Sequence, residues 1–350
     1  AQPMTAVRIG DRSIDARILE LKQPEGSPHL WFVDCPAMFD RAGLYKDEHG
    51  RPYDDNPVRV ALFCTAVVEF AHKLLGRAPD ILHCHDWQTA LLPVLLELRQ
   101  LHYWNHNRSV LTIHDLAGQG DYPAWVLHQL GLPESLANAN LLGDGDRINL
   151  LRGGIATADA VTTTSPSYAA EIRTKRYGQG LHDALSTRED GVLGIVHGLR
   201  PGRWDPAEPH ALASPFSSTD LAGKAACRGD LLVRFGLLLH PGELLVATLC
   251  PLVEAAGLDI LVRSLDAITD AGGRVIVVGR GDRALEDRMV GVAARLAGKV
   301  AFHRGWDADL ERDVLAGADA IILPHRSQPC GTRQLQAMAL GTVPIAHATG

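Results

Sequence analysis

Short apolar runs recur along the chain, each followed by a polar loop and then by apolar positions at helical spacing. In the first half Ile81-Leu82, Val110 to Ile113 and Ala160 to Thr163 read as buried strands. Ahead of them, Ile14 to Leu21 and Leu30 to Val33 also read as strands. Val58 to Leu75 reads as a helix carrying Val60, Phe63, Cys64, Val67, Val68, Ala71 and Leu75 on one broad stripe. The second half repeats the pattern with Leu244 to Leu249, Arg274 to Val278, Lys299 to Phe302 and Ala320 to Leu323. A last helix starts at Gly331, with Leu335, Met338 and Ala339 spaced along it and Gly341 at its end, before a strand-like Val343 to Ala346. Strands alternating with helices predict a parallel sheet wound on both faces, once in each half. Between the halves, residues 206–218 hold three prolines and three serines with little periodicity and read as a linker. The expected domains are therefore 1–205 and 219–350.

The chain's 350 residues give each half room for a full core, and 46% hydrophobic with 21% charged residues is the balance of an ordinary globular protein. A net charge of -7 offers no electrostatic case for nucleic acid, so an anionic ligand needs a local basic site. The six cysteines are scattered without a Cys-x-x-Cys, which indicates neither a zinc cage nor a disulfide framework. Five of them lie beside apolar or strand-like runs and read as reduced core thiols. No apolar run approaches the ~18 residues of a membrane span, and no signal peptide opens the chain. A cytoplasmic protein without membrane contact is expected. Both ends read as cut, since the chain enters on Val7-Arg8-Ile9 and stops just after a strand-like run.

Candidate chemistry sits where strands end. His83-Cys84-His85-Asp86-Trp87 follows Ile81-Leu82. A carboxylate there suits ligand hydroxyls or a positive charge building on a ligand. His-x-His also suits a metal, although no spacing supplies further ligands, and a hydrogen-bonded loop is the plain alternative. Thr112 to Gly120 is glycine-rich and asks for close backbone approach, for which a ligand near His114 is the favoured reading. Gly279-Arg280-Gly281, with a helix from near Ala284, imitates a dinucleotide fingerprint. No acidic residue ends the following strand, so nicotinamide binding ranks low. Ala320 to Ala339 runs strand, loop, helix start, a layout that presents backbone N–H groups to an anion.

That last stretch, Pro324-His325-Arg326-Ser327-Gln328-Pro329-Cys330-Gly331-Thr332-Arg333-Gln334-Leu335, closely resembles the Pro-Ser-Arg-Phe-Glu-Pro-Cys-Gly-Leu-x-Gln-Leu signature of bacterial glycogen synthases and plant starch synthases. The resemblance continues in His83 to Thr89, in Thr112 to Gly120, and in Asn149 to Ile172, which keeps Gly-Gly-Ile and Ser-Pro-x-Tyr-Ala. Gly194 to Leu199 and Trp204-Asp205-Pro206 extend it. It implies an α/β GT-B fold of two doubly wound Rossmann-like domains facing across a cleft. The implied activity is retaining transfer of glucose from ADP-glucose to the non-reducing end of an α-1,4-glucan, with no metal or other cofactor. The implied catalytic positions are Asp86, His114, Gln328, Pro251 and Ala256. Ligand contacts are implied at His85, Trp87, Gln119, His197, Gly279, Gly281, Pro329, Cys330, Gly331 and Thr332.

The departures concern charge. Gln328 stands where the family has glutamate, and Pro251 and Ala256, counted back from Gly257, stand where it has the arginine and lysine that grip the diphosphate. Asp115 and His197 each replace an asparagine, and Arg200 an aspartate. The family's N-terminal Lys-x-Gly-Gly-Leu loop is absent from the sequence. Arg280, Arg326 and Arg333 are the cations at hand to compensate. Two functions therefore stand beside each other: a glucosyltransferase, and a non-catalytic relative that binds glucan or nucleotide sugar, or regulates.

Overall fold

The computed structural model describes residues 5–99, 104, 106–200, 202–208 and 212–350. They form two compact units, Ala1–Ile195 and Val196–Gly350. The stretch read as a linker includes 209–211, which lie outside the described residues. Within it Phe216 is buried in the core of the second unit.

The first unit opens on β1 (Thr5–Ile9), β2 (Arg12–Leu21) and β3 (Leu30–Asp34), an antiparallel meander rather than part of a parallel sheet. The reason is the connection. Gly10 and Asp11 alone join β1 to β2, too short for a crossover. Alternation of buried Val7, Ile9, Ala16 and Ile18 with outward polar residues gives this sheet one core face.

The short α1 (Pro36–Phe39) leads to α2 (Asn56–Leu75), whose first half is buried on all sides. Instead of one stripe, Val58, Arg59, Ala61, Leu62 and Thr65 are enclosed too, while Leu75 is 45% exposed. The helix packs on β1, α4 (Leu91–Arg99) and α5 (Val126–Leu130) at once. Burying Arg59 is tolerable because its guanidinium donates to the Met38 and Leu44 carbonyls, both at 2.8 Å, and to Asn56.

The parallel sheet of this unit has the order β10-β9-β5-β4, from β4 (Ile81–His85), β5 (Arg108–Ile113), β9 (Ala160–Thr163) and β10 (Leu193–Gly194). Between these strands run α3 (Asp86–Thr89), α6 (Leu150–Thr157), α7 (Pro166–Glu171) and α8 (His182–Ser186). A small antiparallel sheet is inserted after β5: β6 (Asp121–Pro123), β7 (Gly143–Asp144) and β8 (Arg147–Asn149).

The second unit is doubly wound. After α9 (Ala222–Phe235) come β11 (Leu245–Leu249), α10 (Leu258–Asp270), β12 (Arg274–Gly279) and α11 (Arg283–Arg295). Then follow β13 (Val300–Arg304), α12 (Ala308–Gly317), β14 (Ala320–Leu323), α13 (Thr332–Ala339) and β15 (Val343–Ala346). All pairings are parallel, in the order β13-β12-β11-β14-β15. Successive strand residues supply two separate cores. Leu245, Ala247, Leu249, Ile276 and Val278 pack with α9 and α12, whereas Val246, Val275 and Val277 pack with α10 and Met289 of α11. α13 turns differently from its apolar spacing: Ala337 and Leu340 go inward, while Met338 is 54% exposed.

Five cysteines are buried free thiols, and Cys330 is half-buried. Among the described residues no helix is long and apolar enough to cross a membrane.

One half-buried cation ties several segments of this unit together. Lys224 Nζ donates to Ala316 O (2.8 Å), Leu340 O (2.9 Å) and Thr342 Oγ1 (2.8 Å), so it caps the C-terminal ends of α12 and α13 together. Lys224→Met strands these acceptors. It should cost about 2–3 kcal/mol, read as a loss of denaturant midpoint, while an exposed control such as Lys22→Met should change nothing measurable.

Candidate functional site

In the first unit the loops leaving β4 and β5 bring together His85, Asp86, Trp87 and His114. β4 ends on His85, and Asp86 opens α3 at φ +55, the left-handed region that aspartate tolerates better than bulky residues. That conformation is held by a contact across strands: the His114 N–H donates to Asp86 Oδ1 at 2.6 Å. His85 Nδ1 and His114 Nε2 lie 3.0 Å apart, one donating to the other. His83 continues the row, with its ring 4.3 Å from that of His85 and Nε2 2.7 Å from Thr112 Oγ1, which in turn meets Thr162. Burial first, then the neighbouring His83 and His114, hold the His85 pKa below the ordinary histidine value. Two facing imidazoliums would leave two donors at hydrogen-bond distance with no lone pair between them, so the pair needs one neutral ring. Among the described residues no group of three or more His, Cys, Asp or Glu side chains is arranged to hold a metal ion.

The glycine-rich loop answers to Trp87. A side chain on Gly118 would begin 2.9 Å from the indole Nε1, and one on Gly120 (φ +64) 2.7 Å from its Cε3. The close approach is thus made to the protein itself. Gln119 is a tether: its amide N–H groups donate to the Leu116 and Gln179 carbonyls, and its oxygen accepts from Asn149. Tyr45 also sits against Trp87, ring centres 5.3 Å apart and tilted by 52°, and it lies in no sequence motif.

In the second unit the strand order fixes the place. The chain moves from β11 outward to β13 and returns on the other side to β14, so the loops after β11 and β14 part at a switch point, where open α/β sheets hold ligands. The first loop carries exposed Pro251 and Ala256, which is only 2% exposed and belongs to the core beside Leu258 and Leu261. Gly257 (φ +73) ends it, and any side chain there would begin inside the carbonyl oxygen of Pro324. Arg326 ties the same two loops, donating to Glu254 O at 2.9 Å and to Asp259 Oδ2 at 2.8 Å.

The second loop places half-buried His325, Gln328, Pro329 and Cys330 ahead of α13. Gly331 is the N-cap of α13, no side chain caps the helix, and its first turn has no acid. By contrast, Asp282 caps α11, Asp307 caps α12, and α10 has Asp259 in its first turn. Thr332 and its neighbours therefore leave backbone donors and positive helix-end potential for an anion. The third loop is closed. Gly279 and Gly281 are glycines because the Cys250 and Leu252 carbonyls lie against them. The Gly281 N–H donates to Glu286 Oε1 at 2.9 Å, so a carboxylate already occupies a donor that a dinucleotide phosphate would need. His197 lies half-buried in the coil after β10.

Sequence reading passed over Trp306. Its indole, 41% exposed, lies under the Arg333 guanidinium at 5.1 Å. The available signal was an aromatic residue directly ahead of the Asp307 helix cap.

The chain matches the family described as starch synthase catalytic domain over residues 2–187, and that of group 1 glycosyl transferases over residues 243–350. It is 35% identical over 327 residues to glycogen synthase 2 of Geobacter sulfurreducens, covering 93% of this chain and 67% of the relative. It is 39% identical over 332 residues to a glycogen synthase of Koribacter versatilis, covering 92% and 66%. In structure it resembles the catalytic domain of starch synthase IV from Arabidopsis thaliana bound to ADP and acarbose. That match has a TM-score of 0.89 at 28% identity and covers 100% of this chain and 72% of the other. The fold is accordingly GT-B, with two Rossmann-like units.

Two outcomes follow from the geometry. Because the folded pKa of His85 lies below its unfolded value, the unfolded chain takes up the proton first as pH falls below about 6.5. Stability should therefore drop from there down to the folded pKa. His72 and His325 shift the same way, so the test is a difference: His85→Gln should flatten the fall in melting temperature between pH 7.5 and 5 relative to wild type. Equal slopes would remove His85 from the account. Gly257→Ala, which combines a left-handed φ with a backbone clash, should cost at least ~2 kcal/mol in denaturant unfolding.

Proposed function

Since this chain belongs to the glycogen synthase and starch synthase family of glycosyltransferases, we propose that it binds ADP-glucose and an α-1,4-glucan and transfers glucose, with retention, far more slowly than its charge-complete relatives. The observation that carries this reading is the intact Asp86–His114 contact at 2.6 Å, with His85 behind it. Asp86 Oδ1 is committed to the His114 N–H. The remaining carboxylate charge favours the positive character that an anomeric carbon acquires as its bond to the diphosphate lengthens. The reading assigns residues 1–205 to the acceptor, 219–350 to the nucleotide sugar and 206–218 to their connection. ADP and acarbose bound to the Arabidopsis relative support the same ligand classes here. The reading places the chain in the cytoplasm and calls for no metal or other cofactor.

Slowness comes from the leaving group. A diphosphate gathers negative charge in the transition state, and only contacts that strengthen there accelerate transfer. Losing one such contact costs ~10²–10³ in rate, about 2.7–4 kcal/mol. Pro251 and Ala256 are two such positions, Gln328 adds the loss of a carboxylate, and the effects need not add. These replacements favour a second reading, a relative that binds glucan or nucleotide sugar without turnover.

Calorimetric titration of ADP and ADP-glucose, followed by a long radiolabelled glucan-extension assay, separates the two. The wild-type chain should bind ADP-glucose and extend glucan slowly, and Pro251→Arg with Gln328→Glu should speed extension at least tenfold. Ala256→Lys is tested apart, because its Cβ starts in the core. Binding without extension in wild type establishes the second reading. Absence of binding in wild type and variants alike overturns both.

A further inference from the structure

Three arginines stand near the switch point of the second unit, and their surroundings differ. Arg326 is a tie between loops, with its guanidinium shared between Glu254 O and Asp259. Arg280 is exposed on the loop after β12, whose Gly281 donor is taken by Glu286, a carboxylate only 7% exposed. Glu286 is itself paired with Arg304 at 3.1 Å, so an anion approaching Arg280 meets a spent donor.

Arg333 is placed otherwise. It lies in the first turn of α13, the helix without an acidic first turn or a side-chain cap. Its guanidinium rests 5.1 Å from the centre of the Trp306 ring, and Nη1 is 3.1 Å from Glu311 Oε2. Stacking and pairing together hold the planar fork in one orientation, which a flexible lysine would not keep. Its charge also crosses the switch point. Cys250 immediately precedes Pro251, and its thiol, pushed up to about 11 by burial, is drawn back down by Arg333. The same charge adds to burial in lowering His325 on the neighbouring loop. A cation on α13 thus acts where the loop after β11 no longer carries one.

We propose that Arg333 is the cation that receives the diphosphate of a nucleoside diphosphate in this chain, replacing from the first turn of α13 the charge absent at Pro251. The inference rests on the nucleotide-binding reading above. Glu311 holds the guanidinium until the ligand arrives. A diphosphate carries more charge than one carboxylate, matches the guanidinium fork bidentately and also meets the positive end of a helix that no side chain caps. Exchange of Glu311 for the ligand is then favourable, but the contest weakens binding below what an unpaired arginine would give.

The test is calorimetric titration of ADP, and of inorganic pyrophosphate, into the full chain and its variants, with melting temperature as the check on folding. Arg333→Gln should weaken ADP at least tenfold and flatten the salt dependence of binding. Glu311→Gln should tighten it several-fold, an opposite sign that no loss of folding can imitate. Arg280→Gln should leave it unchanged. Tight pyrophosphate binding that responds to the same variants would assign the contact to the diphosphate, whereas a response confined to ADP would move Arg333 to the nucleoside and overturn the proposal. If Arg333→Gln binds ADP like wild type, the proposal fails while the nucleotide reading stands. If no chain binds ADP, including one with Pro251→Arg, the nucleotide reading fails and takes this inference with it.

Discussion

The carbonyl of Pro324 fills the space in which a side chain at residue 257 would begin. This one approach sets the second unit's site. It presses the loop after β11 against the loop after β14, and Arg326 then fastens the two with bonds to Glu254 and Asp259. Both loops leave the sheet where strand order reverses, the one place where neighbouring crossovers part. The loop after β14 then runs on to the start of α13. Its uncapped backbone donors follow from that placement, as does the importance of whatever cation stands beside them.

The first unit solves a similar problem with side chains. There a carboxylate, Asp86, satisfies a backbone donor at the end of the next strand and accepts a left-handed backbone to do so. Histidines 83, 85 and 114 then form a row along the strand ends, with Thr112 and Thr162 continuing it. The row is polar, partly shielded and dependent on a neutral ring. The Gly118–Gly120 loop is moulded to the indole of Trp87. Removing bulk from that loop therefore serves the protein's own packing before it serves any ligand.

This division explains how far the sequence could be read. Buried parallel strands are legible where each is a short continuous apolar run, as at Leu245 to Ala247 or Ile276 to Val278. The β1–β3 meander is less so, since its alternation is only half apolar and its direction is set by a two-residue connection. Motifs located the Asp86 and His114 loops and the α13 loop correctly in sequence, but not what their glycines touch. Nothing in a glycine says whether a ligand, an indole or a carbonyl lies opposite. Likewise Ala256 was marked as a lost lysine, and its burial, like the exposed face of Met338, depends on neighbours from distant segments. Trp306 and Glu311 gain meaning only once α12 is seen to bring them to Arg333.

The charge changes also have an internal logic. In the function proposed above, a glutamate at 328 combined with uncharged residues at 251 and 256 would stand near the start of α13 with little positive charge to offset it, and would repel a diphosphate there. Glutamine removes that repulsion while retaining an amide that can donate and accept. The three replacements are thus compatible with continued anion binding in a weaker field. They are less compatible with rapid departure of a leaving group, which needs charge stabilisation that grows along the reaction. A neutralised arginine pair reproduces the first property better than the second, because a guanidinium shared with Glu311 must break one contact to strengthen another. In the function proposed above, binding and turnover, which a charge-complete site couples through the same cations, come apart.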